Sequence, residues 1–158
     1  LLNEPMGAKA ELLLLFAARA EHLRQVIEPA LAQGKWVLSD RFTESSYAYQ
    51  GYGRGLPIAE IATLEALTLG DLRPDRTYWF DLPLEVGFER VGKRGATDRF
   101  EEEERSFFEA VTRGFETLLQ QRPHQFRHID ATQSIAAVEG AIIADLKNLL
   151  PTKAESLR

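Results

Sequence analysis

The stretch 36-WVLSDRFTESSYAYQGYGRG-55 passes from a short apolar run directly into a dense polar and aromatic segment. The apolar residues predict a short buried strand over Lys35–Ser39, with a polar loop opening at Asp40 and Arg41 where that strand ends. In open parallel sheets, ligands bind beyond the carboxyl ends of the strands. The junction therefore predicts an α/β fold with its site at the strand ends.

The flanks agree. Upstream, Leu12, Leu15, Phe16, Leu23, Val26, Ile27 and Leu31 recur at helical spacing between Ala8 and Gln33; Gly34 is the stop and Pro29 the expected bend. Downstream, a helical segment carries Ser46, Tyr49 and Gln50 and is expected to break at QGYGRGLP. Pro57 opens the next helix, which runs to about Leu69 before Gly70. RTYWFDLP supplies a second strand, and Pro83 opens the helical PLEVGFERVGKR. GATD interrupts before a charged helix from Phe100 to about Gln121. FRHID is the last strand, followed by a helix capped by Ser134. Strands alternating with helices predict a three-layer arrangement, a parallel sheet with helices on both faces. Asp40 with Arg41, Asp81 and Asp130 then fall at strand ends. One domain is expected over residues 1–150, with a tail over 151–158.

Composition narrows the function classes. At 158 residues the chain has the length of one domain. A net charge of -5 argues against a broad nucleic-acid or anionic-membrane surface, which leaves local arginine clusters as the places where phosphate could bind. With no cysteine there is no disulfide, thiolate ligand or thiol nucleophile, as is compatible with a reducing cytoplasm. His22, His124 and His128 show no ligand spacing. The longest apolar run, Leu12 to Ala18, is far short of the ~20 residues that span a bilayer, and no secretory signal is visible.

One segment matches the spacing G-x-x-x-x-G-K, from Gly87 to Lys93. It is rejected as a phosphate loop because Arg94 stands where Ser or Thr should bind metal, and because Pro83 has already started a helix. Asp40 and Arg41 offer more. A strand-end carboxylate can accept a proton or a metal-bound water, and the guanidinium beside it can grip a phosphate with two parallel hydrogen bonds; a plain salt bridge with an N-cap is the alternative. Ser46 and Gln50, at i and i+4, share a helix face and can both donate and accept, as reading a base edge requires. KRGATDR places Lys93, Arg94 and Arg99 around a short break between helices. Mobile cations there could close over transferring phosphates, or form a solvated turn paired with Glu101 to Glu104.

The series DRFTESSYAYQGYGRG, with LLLLFAAR before it and GDLRPDRTYWFDLP, ERVGKRGATDRFEEE and IDAT after it, resembles bacterial thymidylate kinases from about Glu4 to Leu150. The resemblance implies a phosphate-loop nucleoside-monophosphate-kinase fold. It implies transfer of the terminal phosphoryl group of ATP, with magnesium, to dTMP, by a cytoplasmic homodimer free of nucleic acid and membrane. Asp40 is similar to the carboxylate near magnesium, acting through water, and Arg41 to the guanidinium on the dTMP phosphate. Arg19, Ser46 and Gln50 match thymine readers; Tyr49 flanks the sugar or packs. Leu15 and Phe16 lie one turn before Arg19, and relatives often carry a stacking aromatic at the Leu15 position. Arg94 and Arg99 match catalytic arginines of a lid at about 92–100. Asp130, Ala131 and Thr132 resemble the loop where adenine of ATP rests. The family's N-terminal strand and phosphate loop are expected to lie upstream of Leu1. The alternatives are an inactive thymidylate-binding or dimerisation fragment, and a sister kinase acting on a deoxynucleoside or another monophosphate.

Overall fold

The computed structural model describes residues 6–90 and 98–149. Helix α1 (Ala8–His22) continues through a π-helical turn (Leu23–Ile27) into a short last turn, α2 (Glu28–Ala32). Pro29 accounts for the widening. It has no N–H for the carbonyl four residues back, and just before it Glu28 reaches one residue further, donating to the Leu23 carbonyl. The expected bend is thus taken up as a wide turn. Gly34, at φ 69°, ends the helix; its N–H donates to the Leu31 carbonyl and that of Lys35 to the Ala30 carbonyl.

The strand expected over Lys35–Ser39 is not formed. A strand exists through the pairing of its backbone, and no described segment pairs with this one. Leu38 is 91% exposed and Trp36 62%, so the run is not buried either. Val37 alone packs inward, with Phe42 and Leu72 against Leu23, Ile27 and Leu69.

Helix α3 (Thr43–Ser46) runs directly into a second π-helical segment (Tyr47–Gly53). The helix breaks within QGYGRGLP as expected, ending at Gly53, with Gly55 at φ 72° beyond it. Gly51 and Gly53 also permit close approach, since a Cβ on Gly51 would stand 2.6 Å from Ile58 Cδ1 and one on Gly53 2.6 Å from Phe107 Cε2. Helix α4 (Ile58–Leu69) follows Pro57 and stops at Gly70. Then come β1 (Thr77–Asp81), α5 (Leu84–Arg90), α6 (Asp98–Gln121), β2 (Phe126–Asp130) and α7 (Ile135–Leu149). The Ser134 hydroxyl accepts from the Ala137 N–H, capping α7 as expected.

The two strands are parallel, from Thr77 opposite Phe126 to Asp81 opposite Asp130. Parallel neighbours need a crossover, and α5 and α6 lie on the chain between them. Among the described residues this is an α/β fold with a two-stranded parallel sheet. The main core joins Leu12 and Phe16 of α1, Tyr47, Ile61 of α4, Leu118 of α6 and Phe126 of β2. Each such large side chain contributes about 1.5–3 kcal/mol by leaving water. The segment Thr43–Gly53 is thereby held by α1, α4 and α6. Gly114 lets α6 approach, since a Cβ there would lie 2.9 Å from the Ala48 Cα. Helix α7 is tied to the sheet by Asp145, which accepts from the Tyr78 hydroxyl and from Arg127 Nε, each at 2.8 Å. Among the described residues no helix is long and apolar enough to cross a membrane.

Candidate functional site

Arg41 has φ 61°, a left-handed backbone that a residue with a Cβ rarely adopts and that costs roughly 1–2 kcal/mol. The Ser39 hydroxyl donates to its carbonyl at 2.9 Å. The exposed guanidinium lies over the Tyr49 ring, 4.8 Å from the centroid, with Nη2 3.5 Å from the phenol oxygen. Tyr49 is in turn buttressed edge-on by Phe107 and Phe115. Asp40 is exposed, and among the described residues its carboxylate has no hydrogen-bond or ion-pair partner.

On the inner side Arg19 meets Ser46, and Gln50, four residues on from Ser46, meets Glu11. Arg19 donates through Nη1 to the Ser46 hydroxyl at 2.8 Å and through Nη2 to the Phe42 carbonyl at 2.9 Å. Burial lowers its pKa, opposed by the charges of Glu44 and Glu65, and a guanidinium stays protonated throughout. Ser46 and Gln50 are both buried. Gln50 donates through Nε2 to Glu11 Oε1 at 2.8 Å, and Arg54 stands 3.5 Å from the other Glu11 oxygen. Phe16 is sealed in the core, its ring 5.0 Å from the Arg19 guanidinium carbon; Leu15, beside it in sequence, is half-exposed.

Beneath this face lies an acidic pair that the sequence reading missed. Glu44 and Glu65 are 2% and 3% exposed. Glu65 accepts from Thr43 Oγ1 at 2.7 Å and from the Tyr47 hydroxyl at 2.8 Å, and Glu44 from Gln125 Nε2 at 3.0 Å. Arg122 lies 3.7 Å from each carboxylate, and Arg73 3.6 Å from Glu65. Burial raises the Glu44 pKa, against the pull of its own backbone hydrogen bond and of Arg122. Burial, with Glu65 beside it, pushes the Tyr47 phenol up to about 12. A signal for Glu65 was present: Ile61, Glu65 and Leu69 are spaced four apart on the buried stripe of α4. A carboxylate in that register demands partners.

At the strand ends, Asp130 accepts from the Thr132 N–H at 2.9 Å, the Thr132 hydroxyl at 2.6 Å and Gln133 Nε2 at 2.8 Å. The Thr132 and Gln133 bonds hold its pKa down at about 2. The Ala131 N–H is taken by the Asp81 carbonyl. Asp130, Ala131 and Thr132 thus form a self-bonded turn on the rim, sharing no hydrogen bond with the Arg19 group among the described residues. Asp81 pairs with His128 Nε2 at 2.9 Å. Arg94 lies outside the described residues, as does most of the proposed lid; Arg99 sits in the first turn of α6, its side chain also outside them. Gly87 to Arg90 lie within α5, so the first part of the rejected phosphate-loop match is helical. Among the described residues no three acidic or histidine side chains converge to hold an ion.

An exposed guanidinium perched on Tyr49 and an Arg19 fork bonded to Ser46 are groups that can hold an anion and polar ring atoms. Comparison with known proteins gives the family. The thymidylate kinase family model matches residues 1–142. Thymidylate kinase of Ectopseudomonas mendocina is 54% identical over 156 residues, 99% of this chain and 72% of that protein. That of Alcanivorax borkumensis is 53% identical over 137 residues, covering 87% and 66% respectively. The crystal structure of thymidylate kinase from Ehrlichia chaffeensis is similar with a TM-score of 0.73 and 29% identity, over 92% of this chain and 67% of that one. The chain belongs to the thymidylate kinase family.

Proposed function

We propose that the protein phosphorylates dTMP, transferring the terminal phosphoryl group of ATP to the dTMP phosphate to give dTDP and ADP. The observation that carries this reading is the Arg19 fork bonded to the buried Ser46, on the same short segment as the buried Gln50 and the Tyr49 ring that carries Arg41. Arg41 holds the acceptor phosphate. Its perch on Tyr49 pre-orders the guanidinium, and Tyr49 borders the sugar. Arg19, Ser46 and Gln50 read the thymine edge. Leu15, half-exposed, forms the apolar wall against the base, while Phe16 supports Arg19 from the core.

Asp40 is free to hold a magnesium-bound water, and magnesium carried with ATP supplies charge neutralisation at the phosphates. Arg94 and Arg99, on a lid at about 92–100, add charge as transfer proceeds. The turn Asp130–Thr132 meets the adenine through the backbone carbonyls that its own hydrogen bonds leave unused. The parallel pair belongs to a three-layer sheet in a single domain over residues 1–150, followed by a tail over 151–158, and the protein works in the cytoplasm as a homodimer, as family membership supports.

The test is dTDP formation from dTMP and magnesium ATP, with dCMP, dUMP and thymidine as competing acceptors. Preferred turnover of dTMP supports the reading, and equal turnover of dCMP overturns the acceptor assignment. Selective binding of dTMP without turnover makes the chain an acceptor-binding unit.

A further inference from the structure

We infer that Glu11 sets the base specificity of the site by fixing which end of the Gln50 amide faces the ligand, an inference that rests on the dTMP reading above. A glutamine side chain is a donor at one end and an acceptor at the other, and the two ends are nearly equal in size. Unassisted, it can turn over and present either. An ionised carboxylate removes that freedom because it only accepts. Glu11 Oε1 takes the Gln50 Nε2 donor at 2.8 Å, while Arg54 faces Oε2 at 3.5 Å and holds the carboxylate in place. Gln50 is only 5% exposed, so little water is at hand to compensate for the wrong orientation. Among the described residues Gln50 Oε1 has no partner. It is left as an acceptor.

The consequence is chemical. Thymine carries a proton on N3 and cytosine does not, so an acceptor at this position favours thymine and opposes a lone pair to cytosine. Reversed, the same amide would donate to the cytosine N3. Glu11 is therefore a positioning residue, acting through Gln50, which discriminates by repelling the wrong base as well as by bonding the right one.

The experiment compares Glu11→Gln with the unaltered chain by calorimetric titration with dTMP and with dCMP. Glutamine keeps the size of Glu11 but can donate, so the Gln50 amide is no longer held. The expected result is a fall in the dTMP-to-dCMP affinity ratio of about tenfold or more, with dCMP itself binding more tightly. A purely structural role would weaken both ligands alike. Glu11→Ala, which frees the amide without substituting another donor, is expected to move the ratio the same way. A ratio unchanged in both variants overturns the inference alone. A lack of preference for dTMP in the unaltered chain overturns the dTMP reading and this inference with it.

Discussion

The Arg19 guanidinium donates to the Ser46 hydroxyl at 2.8 Å, joining α1 to the end of α3 across 27 residues of sequence. A second bond, to the Phe42 carbonyl, fixes the fork in its plane. Lysine offers a single ammonium and cannot satisfy both acceptors in that geometry. Arg19→Lys is expected to weaken dTMP binding about tenfold while the chain remains folded, as measured by titration alongside thermal melting. Undiminished affinity would remove Arg19 from the base-reading group.

Arg41 separates phosphate recognition from backbone strain. Arg41→Ala is expected to weaken dTMP by roughly ten- to a hundredfold, the loss of a charge-assisted contact, and to leave thymidine binding unchanged. Arg41→Gly should lose the same affinity yet be more stable than Arg41→Ala by about 0.5–1 kcal/mol, because glycine adopts φ 61° without strain. Equal stability of the two variants in denaturant unfolding would contradict the strain assignment.

The buried acid pair predicts a large stability effect at a distance from solvent. Glu65→Ala leaves Thr43, Tyr47, Arg73 and Arg122 without their common acceptor and is expected to cost about 3–5 kcal/mol in chemical unfolding. Tyr47→Phe removes one hydrogen bond to Glu65 and should cost about 1–2 kcal/mol. A Glu65→Ala cost below that of Tyr47→Phe would show that Glu65 is not the hub.

The pH dependence has opposite signs at two carboxylates. Burial raises Glu44 above its ordinary 4.5, so the folded state holds that proton more tightly; stability from this group is complete below 4.5 and is lost as pH rises through the raised value. Glu44→Gln is expected to flatten that loss as pH rises above 4.5. Asp130, depressed to about 2 by its turn, contributes stability above 3.8 that disappears as pH falls through 2. Across pH 2–7, Glu44→Gln should therefore gain stability relative to the unaltered chain as pH rises above 4.5, and Asp130→Ala should lose it above 3.8, so the two variants depart in opposite directions.

Gly114 tests the packing behind the loop. Alanine there would place its Cβ 2.9 Å from the Ala48 Cα, a backbone atom that cannot swing aside. The expected cost is about 1–3 kcal/mol, together with weaker dTMP binding as the Tyr47–Gly53 segment is pushed away from α6. Stability and affinity both unchanged would mean that α6 does not brace the site.

The sequence announced elements where pattern and punctuation coincide. The spacing of Leu12, Phe16, Leu23 and Ile27, the stops at Gly34 and Gly70 and the Ser134 cap all have local causes. It misjudged what depends on neighbours. Lys35–Ser39 has strand composition, but pairing is a property of two segments, and here no described partner lies alongside. The packing role of Gly51 and Gly53 was hidden because the side chains crowding them, Ile58 and Phe107, come from other helices. Ser46 and Gln50 were singled out by their spacing and Arg19 by resemblance to known motifs; the structure bonds Arg19 to Ser46. The Glu11 contact to Gln50 spans 39 residues and leaves no local trace.

The most direct test of the account is a calorimetric titration of this chain with dTMP, using dCMP and thymidine as controls. The account predicts that dTMP binds more tightly than either, because dCMP offends the base-reading face and thymidine forgoes Arg41. A folded chain that binds dTMP no better than dCMP would contradict it.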